Sequence, residues 1–221
     1  MILLIPAILL TLYAQYKVSS TTNRYFNVRS DRNLTGEEVA RRILDSNGLY
    51  NVRVEMVRGR LSDHYDPRSN VVRLSEDVYS RTSITSISVA AHECGHAIQY
   101  KEKYVPITLR NAILPIANVG QYLGWIAIFI GLALSNTNLA WIGFAAMCGI
   151  LAFQVVTLPV EFNASSRALT ILRTRYLSDG EYGGAKSMLS AAAMTYVAAM
   201  ISTLMSMLRI FLVILGSSRR D

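Results

Sequence analysis

Two of the chain's three histidines stand four positions apart in the run His92-Glu93-Cys94-Gly95-His96. On a helix that spacing puts both imidazoles on one face, one turn apart, where they can converge on a single ion. Zinc accepts nitrogen ligands at about 2.0–2.1 Å, a geometry that one rigid element can supply. Glu93 falls about 100° round the same helix from His92, beside such a metal without being bound to it. A general base that takes a proton from zinc-bound water belongs at that position. Ile84, Ile87, Ala91, Gly95 and Ile98 trace a packing face, and Gly95 has no side chain to hold a neighbouring element away from the ion. The plain alternative is a pair of histidines on an ordinary polar helix face. The rarity of the pattern and its apolar setting favour a metal helix.

A catalytic zinc takes three protein ligands and leaves the fourth position to water. No histidine lies downstream of His96, which argues against an arrangement with a further histidine ligand after the motif. Glu161 is the expected third donor. It follows Leu158-Pro159-Val160 at the end of an apolar run and opens Glu161-Phe162-Asn163-Ala164-Ser165-Ser166-Arg167-Ala168, which can continue as a helix. Its bland alternative is an acid favoured at a helix N-terminus. Glu181 competes for the role, but Gly180, Gly183 and Gly184 beside it suggest a flexible loop rather than a rigid platform. His64 is a further competitor. It could also polarise a substrate carbonyl, orient a ligand, or be a satisfied polar side chain on a strand. Tyr196, within an apolar stretch, could donate to a developing oxyanion or simply pack with its hydroxyl bonded locally.

The elements that must position these residues belong to a chain that is 52% hydrophobic, with a mean hydropathy of +0.29. That is too apolar for an ordinary soluble domain, so membrane segments are expected. Residues 1–16 form an apolar run, short for a span, without the basic start and small-residue cleavage site of a secretory signal. Lys17, Arg24, Arg29 and Arg32 follow, so a retained anchor with its end in the cytoplasm is expected rather than a cleaved signal. Residues 17–110 are polar enough to fold in water and carry the metal helix. Apolar runs over 113–134 and 139–160, joined by the uncharged Ser135-Asn136-Thr137-Asn138, make a transmembrane hairpin within 111–160. Arg167, Arg173, Arg175 and Lys186 come next, so the positive-inside rule places 135–138 outside and 161–186 inside. Two crossings would thus return Glu161 to the face that carries His96. Residues 161–187 form the third-ligand helix and loop. Residues 188–221 form a last apolar segment, interrupted by Arg209, and a basic tail with Arg219 and Arg220 that would snorkel or mark an incomplete crossing.

Within 17–110, Thr35-Gly36-Glu37-Glu38 has capping-box spacing, and Val39, Ile43 and Leu44 continue as a helical stripe that Asn47-Gly48 ends. Residues 52–57 alternate as a strand. Residues 61–65 and 71–74 read as two strands joined by Asp66-Pro67-Arg68-Ser69-Asn70. A helix over 83–100 follows, and Lys101, Glu102 and Lys103 make it a poor lipid-facing span. The formal charge of +7 is spread among acids, with no aromatic or zinc-finger pattern, so nucleic acid is not an expected partner. Cys94 and Cys148 sit in the metal helix and in an apolar stretch, which fits a reducing compartment better than a structural disulfide.

His92-Glu93-Cys94-Gly95-His96-Ala97-Ile98-Gln99, Asp63-His64-Tyr65-Asp66-Pro67, Val71-Val72-Arg73-Leu74-Ser75-Glu76-Asp77 and the stretch Leu158 to Ser165 resemble the YugP-like family of bacterial membrane zinc metallopeptidases. The similarity extends over most of the chain. More remotely, the chain is similar to the HtpX and CAAX-prenyl protease group, in which a Glu-x-x-x-Asp segment supplies the third ligand. Carried over by motif, the resemblance implies one zinc ion per chain held by His92, His96 and Glu161, with Glu93 as catalyst. At the aspartate position this sequence has Ser165, which can hydrogen-bond a ligand histidine but supplies no carboxylate. The fold implied is α+β and predominantly helical: a small gluzincin-like core with a short sheet, plus three or four transmembrane helices. An edge strand in the hairpin around 61–74 would bind a polypeptide by strand addition. The implied setting is a multi-pass protein of the bacterial plasma membrane with its catalytic part in the cytoplasm, acting on membrane or membrane-proximal polypeptides, alone or with an oligomeric or regulatory partner. The rival readings are an intramembrane site-2-type protease and a catalytically idle membrane scaffold.

Overall fold

A computed structural model describes residues 2–218, so Arg219 and Arg220 of the expected basic tail lie outside the described residues. The fold is α+β and mostly helical, with one three-stranded sheet. The chain divides into two compact units. One comprises Met1–Ala14, Val105–Pro159 and Thr195–Asp221, the other Gln15–Tyr104 and Val160–Met194.

The second unit contains α2 (Gly36–Ser46), β1 (Arg53–Val57), β2 (His64–Asp66), β3 (Val71–Ser75), α3 (Glu76–Ser80) and α4 (Ile84–Lys101). The capping box at α2 forms as expected: Thr35 Oγ1 accepts from Glu38 N at 3.2 Å, and Glu38 Oε2 accepts from Thr35 N at 2.8 Å. Ser83 caps α4, its Oγ accepting from Ser86 N at 3.1 Å. Val39, Ile43 and Leu44 of α2 are buried with Ile87, Ala91 and Cys94 of α4, so the apolar stripes of the two helices share one core.

The sheet order is β1-β3-β2, with β1 parallel and β2 antiparallel to β3. Val71, Val72, Leu74 and Ser75 are buried, which gives β3 the nearly continuous apolar pattern of a central strand. Only β2 of the expected hairpin is therefore an edge, and β1 forms the other. Strand β2 is also shorter than the expected 61–65. Leu61 sits at φ 57°, in the left-handed region, and the Asp63 carboxylate accepts from Ser75 N at 2.7 Å, so side chain replaces ladder up to His64.

The first unit is a set of apolar helices. It takes in the start of α1 (Ile5–Phe26), then α5 (Val105–Val119), a π-turn at Gly120–Gly124 and α6 (Trp125–Ala133). Parts of α7 (Thr137–Arg175) and α8 (Asp179–Ser218) complete it. Among the described residues, three helices are long and apolar enough to cross a membrane: Val105–Ala133, Thr137–Arg175 and Asp179–Ser217. Glycines let their backbones approach. A Cβ on Gly143 would lie 2.6 Å from Gly124 O, and one on Gly131 2.5 Å from Ala140 N. Helix α1 continues ten residues past the apolar run 1–16 and is not one of the three. Pro159 does not interrupt α7, so the apolar run and the segment from Glu161 form one helix.

Candidate metal centre

Helix α4 carries His92, Glu93 and His96, and α7 carries Glu161 and, one turn on, Ser165. The two helices meet at Gly95. A Cβ there would lie 2.9 Å from Ala164 O and 3.2 Å from Ala164 Cα, both backbone atoms, so only glycine permits this crossing distance. The crossing brings Glu161 Oε2 to 3.3 Å from His92 Nε2 and 3.6 Å from His96 Nε2. The donor atoms of the three residues all lie within 4.8 Å of one another. Ligands about 2.1 Å from a tetrahedral zinc stand about 3.4 Å apart, close to both carboxylate–imidazole separations.

The state of Glu161 Oε2 supports that fit. It is buried and has no hydrogen-bond partner among the described residues, and its separations of 3.3 and 3.6 Å from the imidazoles exceed the 2.7–2.9 Å of a charge-assisted bond. Burial alone would push the His96 pKa down. Glu161, Glu93 and the Gln99 oxygen outweigh it and hold the pKa above the ordinary imidazole value, so the pocket favours positive charge. A cation among these three donors satisfies both the orphaned oxygen and the excess of negative potential.

The far nitrogens of the imidazoles are engaged too. His92 Nδ1 lies 3.2 Å from Ser165 Oγ, and His96 Nδ1 lies 3.0 Å from Oε1 of Gln99, which is fully buried. Gln99 Nε2 donates to Val160 O at 2.8 Å and to Asn163 Oδ1 at 3.0 Å. Asn163 Oδ1 also accepts from Arg167 Nε at 2.7 Å, and Arg167 Nη2 pairs with Glu102 Oε2 at 2.7 Å. Glu93 is buried on α4.

The other sequence candidates are not among the three donors of this cluster. His64 is exposed on β2, with Nδ1 2.7 Å from Ser62 O, and is not in the group. Tyr196 belongs to the apolar-helix unit and is 39% exposed. The flexible loop expected around Glu181 is instead the first turn of α8. Glu181 is buried there and accepts from Asp31 N at 2.8 Å and Ser178 N at 2.9 Å. Its glycine neighbour Gly184 makes room for a ring rather than for motion, since a Cβ there would lie 2.7 Å from Tyr25 Cε1. Burial pushes the Cys94 thiol pKa well up, so this cysteine stays a neutral core side chain.

Residues 1–215 match the family described as "Putative neutral zinc metallopeptidase". The chain belongs to this family. A protein of Bacillus subtilis (strain 168), "Putative membrane protease YugP", is 46% identical over 215 residues, which cover 97% of this chain and 96% of that protein. No solved structure gives a significant match. The chain is thus a zinc metallopeptidase with Zn2+ as its cofactor, and the two carboxylate–imidazole separations are close to that ion's ligand spacing.

Three residues of the site went unassigned in the sequence reading: Gln99, Asn163 and Arg167. The available signal was modest. Gln99 stands three positions after His96, within reach on a helix, and Arg167 stands four after Asn163. Nothing local distinguishes such amides from ordinary polar residues.

Proposed function

We propose that the chain is a membrane-anchored zinc endopeptidase of gluzincin type, in which His92, His96 and Glu161 hold one zinc ion and Glu93 is the general base. The observation that carries this reading is the convergence, within 4.8 Å, of donors from two helices in a member of a zinc metallopeptidase family. Zinc held there supplies a Lewis acid that polarises the scissile carbonyl and lowers the pKa of water towards about 7. Glu93, buried beside His92, takes the proton of the attacking water and delivers it to the leaving amine. The Ser165 hydroxyl, 3.2 Å from His92 Nδ1, hydrogen-bonds that ring and steadies it. The outer edge of β2 is where an extended polypeptide adds as a fourth strand, and His64 on that strand would donate to the oxyanion.

Helix α4 is not among the three helices apolar enough to cross a membrane, which favours this reading over an intramembrane site-2-type protease. An intact Glu93 favours an enzyme over a scaffold. Metal analysis and casein cleavage test the centre together. His92→Ala or His96→Ala should lose most of the zinc, whereas Glu93→Gln should keep it and lose about 10²–10⁴-fold in turnover. Full zinc retention in the double histidine variant would sink the assignment.

The charge distribution supports a cytoplasmic metal-bearing unit, with the uncharged Ser135-Asn136-Thr137-Asn138 outside and Arg167, Arg173, Arg175 and Lys186 inside. In intact cells, with Cys148 replaced by serine, a membrane-impermeant thiol reagent should label T137C but not R68C or R175C. External labelling of R68C reverses the orientation.

A further inference from the structure

We infer that Gln99 is a positioning residue that fixes His96 as its Nδ1–H tautomer and thereby aims an Nε2 lone pair at the metal. The inference rests on the metal-centre reading above. Its ground is a chain of hydrogen bonds whose direction is forced at both ends.

Val160 contributes a backbone carbonyl, which can only accept, and it lies 2.8 Å from one terminal atom of the Gln99 amide. That atom must therefore be the nitrogen. Arg167 supplies an independent check. Its guanidinium can only donate, so the Asn163 atom 2.7 Å from Arg167 Nε must be the oxygen. The same Asn163 oxygen lies 3.0 Å from the Gln99 amide and needs a donor there as well. Both neighbours thus orient the Gln99 amide the same way, an assignment made by chemistry and not by the shape of the side chain.

The remaining atom of Gln99 is then its oxygen, 3.0 Å from His96 Nδ1. An acceptor at that place requires a proton on Nδ1. In the neutral ring Nε2 is left unprotonated, and it faces Glu161 Oε2 at 3.6 Å. Two lone pairs confronted in this way need a cation between them. Gln99 is fully buried, so water does not compete for its amide.

His92 is held differently. Its Nδ1 meets the Ser165 hydroxyl at 3.2 Å, and a hydroxyl both donates and accepts, so it dictates neither tautomer. The protein therefore presets one imidazole and leaves the other to be set by the ion. The ion pair of Arg167 with Glu102 at the end of α4 anchors the outer end of the chain.

The test uses the full-length, metal-free protein in detergent with isotope-labelled histidine. Nuclear magnetic resonance is recorded at a pH high enough that both rings are neutral. His96 should be the Nδ1–H tautomer and His92 a mixture of both. A predominantly Nε2–H His96 in the wild type overturns the inference without recourse to any variant. Gln99→Leu should release His96 to a mixture and weaken zinc binding by about 10–100-fold in a chelator competition. Asn163→Ala leaves the Val160 anchor in place, so it should keep the tautomer and cost less than about tenfold. A folded Gln99→Leu with unchanged tautomer and unchanged zinc affinity also overturns the inference. Should wild-type protein take up no zinc, the metal-centre reading falls, and the metal-free spectrum still judges Gln99 on its own.

Discussion

Glycine brings helices together in both units, and the contacts it permits serve different ends. In the metal-bearing unit, the crossing of α4 and α7 at Gly95 carries Glu161 and Ser165 to the two histidines. Polar side chains there bond across elements, Gln99 to Val160 and Asn163, Arg167 to Glu102. In the apolar-helix unit, Gly124, Gly131 and Gly143 give equally close approaches with no chemistry built on them. Hydroxyls in that unit mostly turn back on their own helix: Thr157 Oγ1 donates to Phe153 O at 2.7 Å and Ser206 Oγ to Ser202 O at 2.8 Å. A bilayer explains the contrast. Lipid gives no hydrophobic drive for helices to associate, so close backbone contact supplies the attraction, and each hydroxyl proton needs an internal acceptor. Directional bonds between elements are used where a side chain must be aimed and not merely packed.

The comparison can be broken most directly at the third ligand. Glu161→Gln should weaken zinc binding and activity together, by more than about 100-fold, above the range for outer partners of a metal site, because an amide oxygen is a poorer ligand than a carboxylate. Glu181→Ala should keep zinc and instead lose about 1–3 kcal/mol of folding stability, since Asp31 N and Ser178 N lose their buried acceptor. Zinc titration and thermal melts on the two variants check this, and the reverse pattern would mean that the wrong glutamate was chosen.

A smaller effect sharpens the contrast between the two kinds of glycine crossing. Gly95→Ala and Gly143→Ala each drive a methyl against backbone atoms and should each cost about 1–3 kcal/mol. Only Gly95→Ala should also lower zinc affinity, because only that crossing carries a ligand. Equal zinc affinity in both variants would remove the distinction drawn between the units. Smallest of all is Ser165→Ala. It removes the partner of His92 Nδ1 but no forced orientation, so zinc affinity should fall less than about tenfold. A loss as large as that of Gln99→Leu would show that the hydroxyl matters as much as the amide.

Much of this arrangement was readable from local spacing. Histidines four positions apart define one helix face, Thr35 and Glu38 announce their own capping box, and long uncharged apolar runs imply helices that can cross a bilayer. Such signals depend on neighbours a turn away, so no knowledge of the fold is needed to read them. Glu161 was singled out by its place after an apolar run, and the structure brings its carboxylate to the histidines. The segment around Glu181 was misjudged because three glycines looked like slack. They lie in a helix, one of them against Tyr25, and the glutamate caps that helix.

What no local pattern could decide was who meets whom across the chain. Strand β3 pairs with β1 as well as with its hairpin partner, which makes it central and leaves β2 as an edge. Gln99 finds its acceptors 61 and 64 residues away, on a helix that reaches it only because Gly95 lets the backbones close. A buried amide acquires a direction only from the donor-only and acceptor-only groups around it, and those groups are assembled by the crossing of two helices. Residue types and short spacings thus settle which atoms can bind a metal, while the helix crossing alone settles how each of them is aimed.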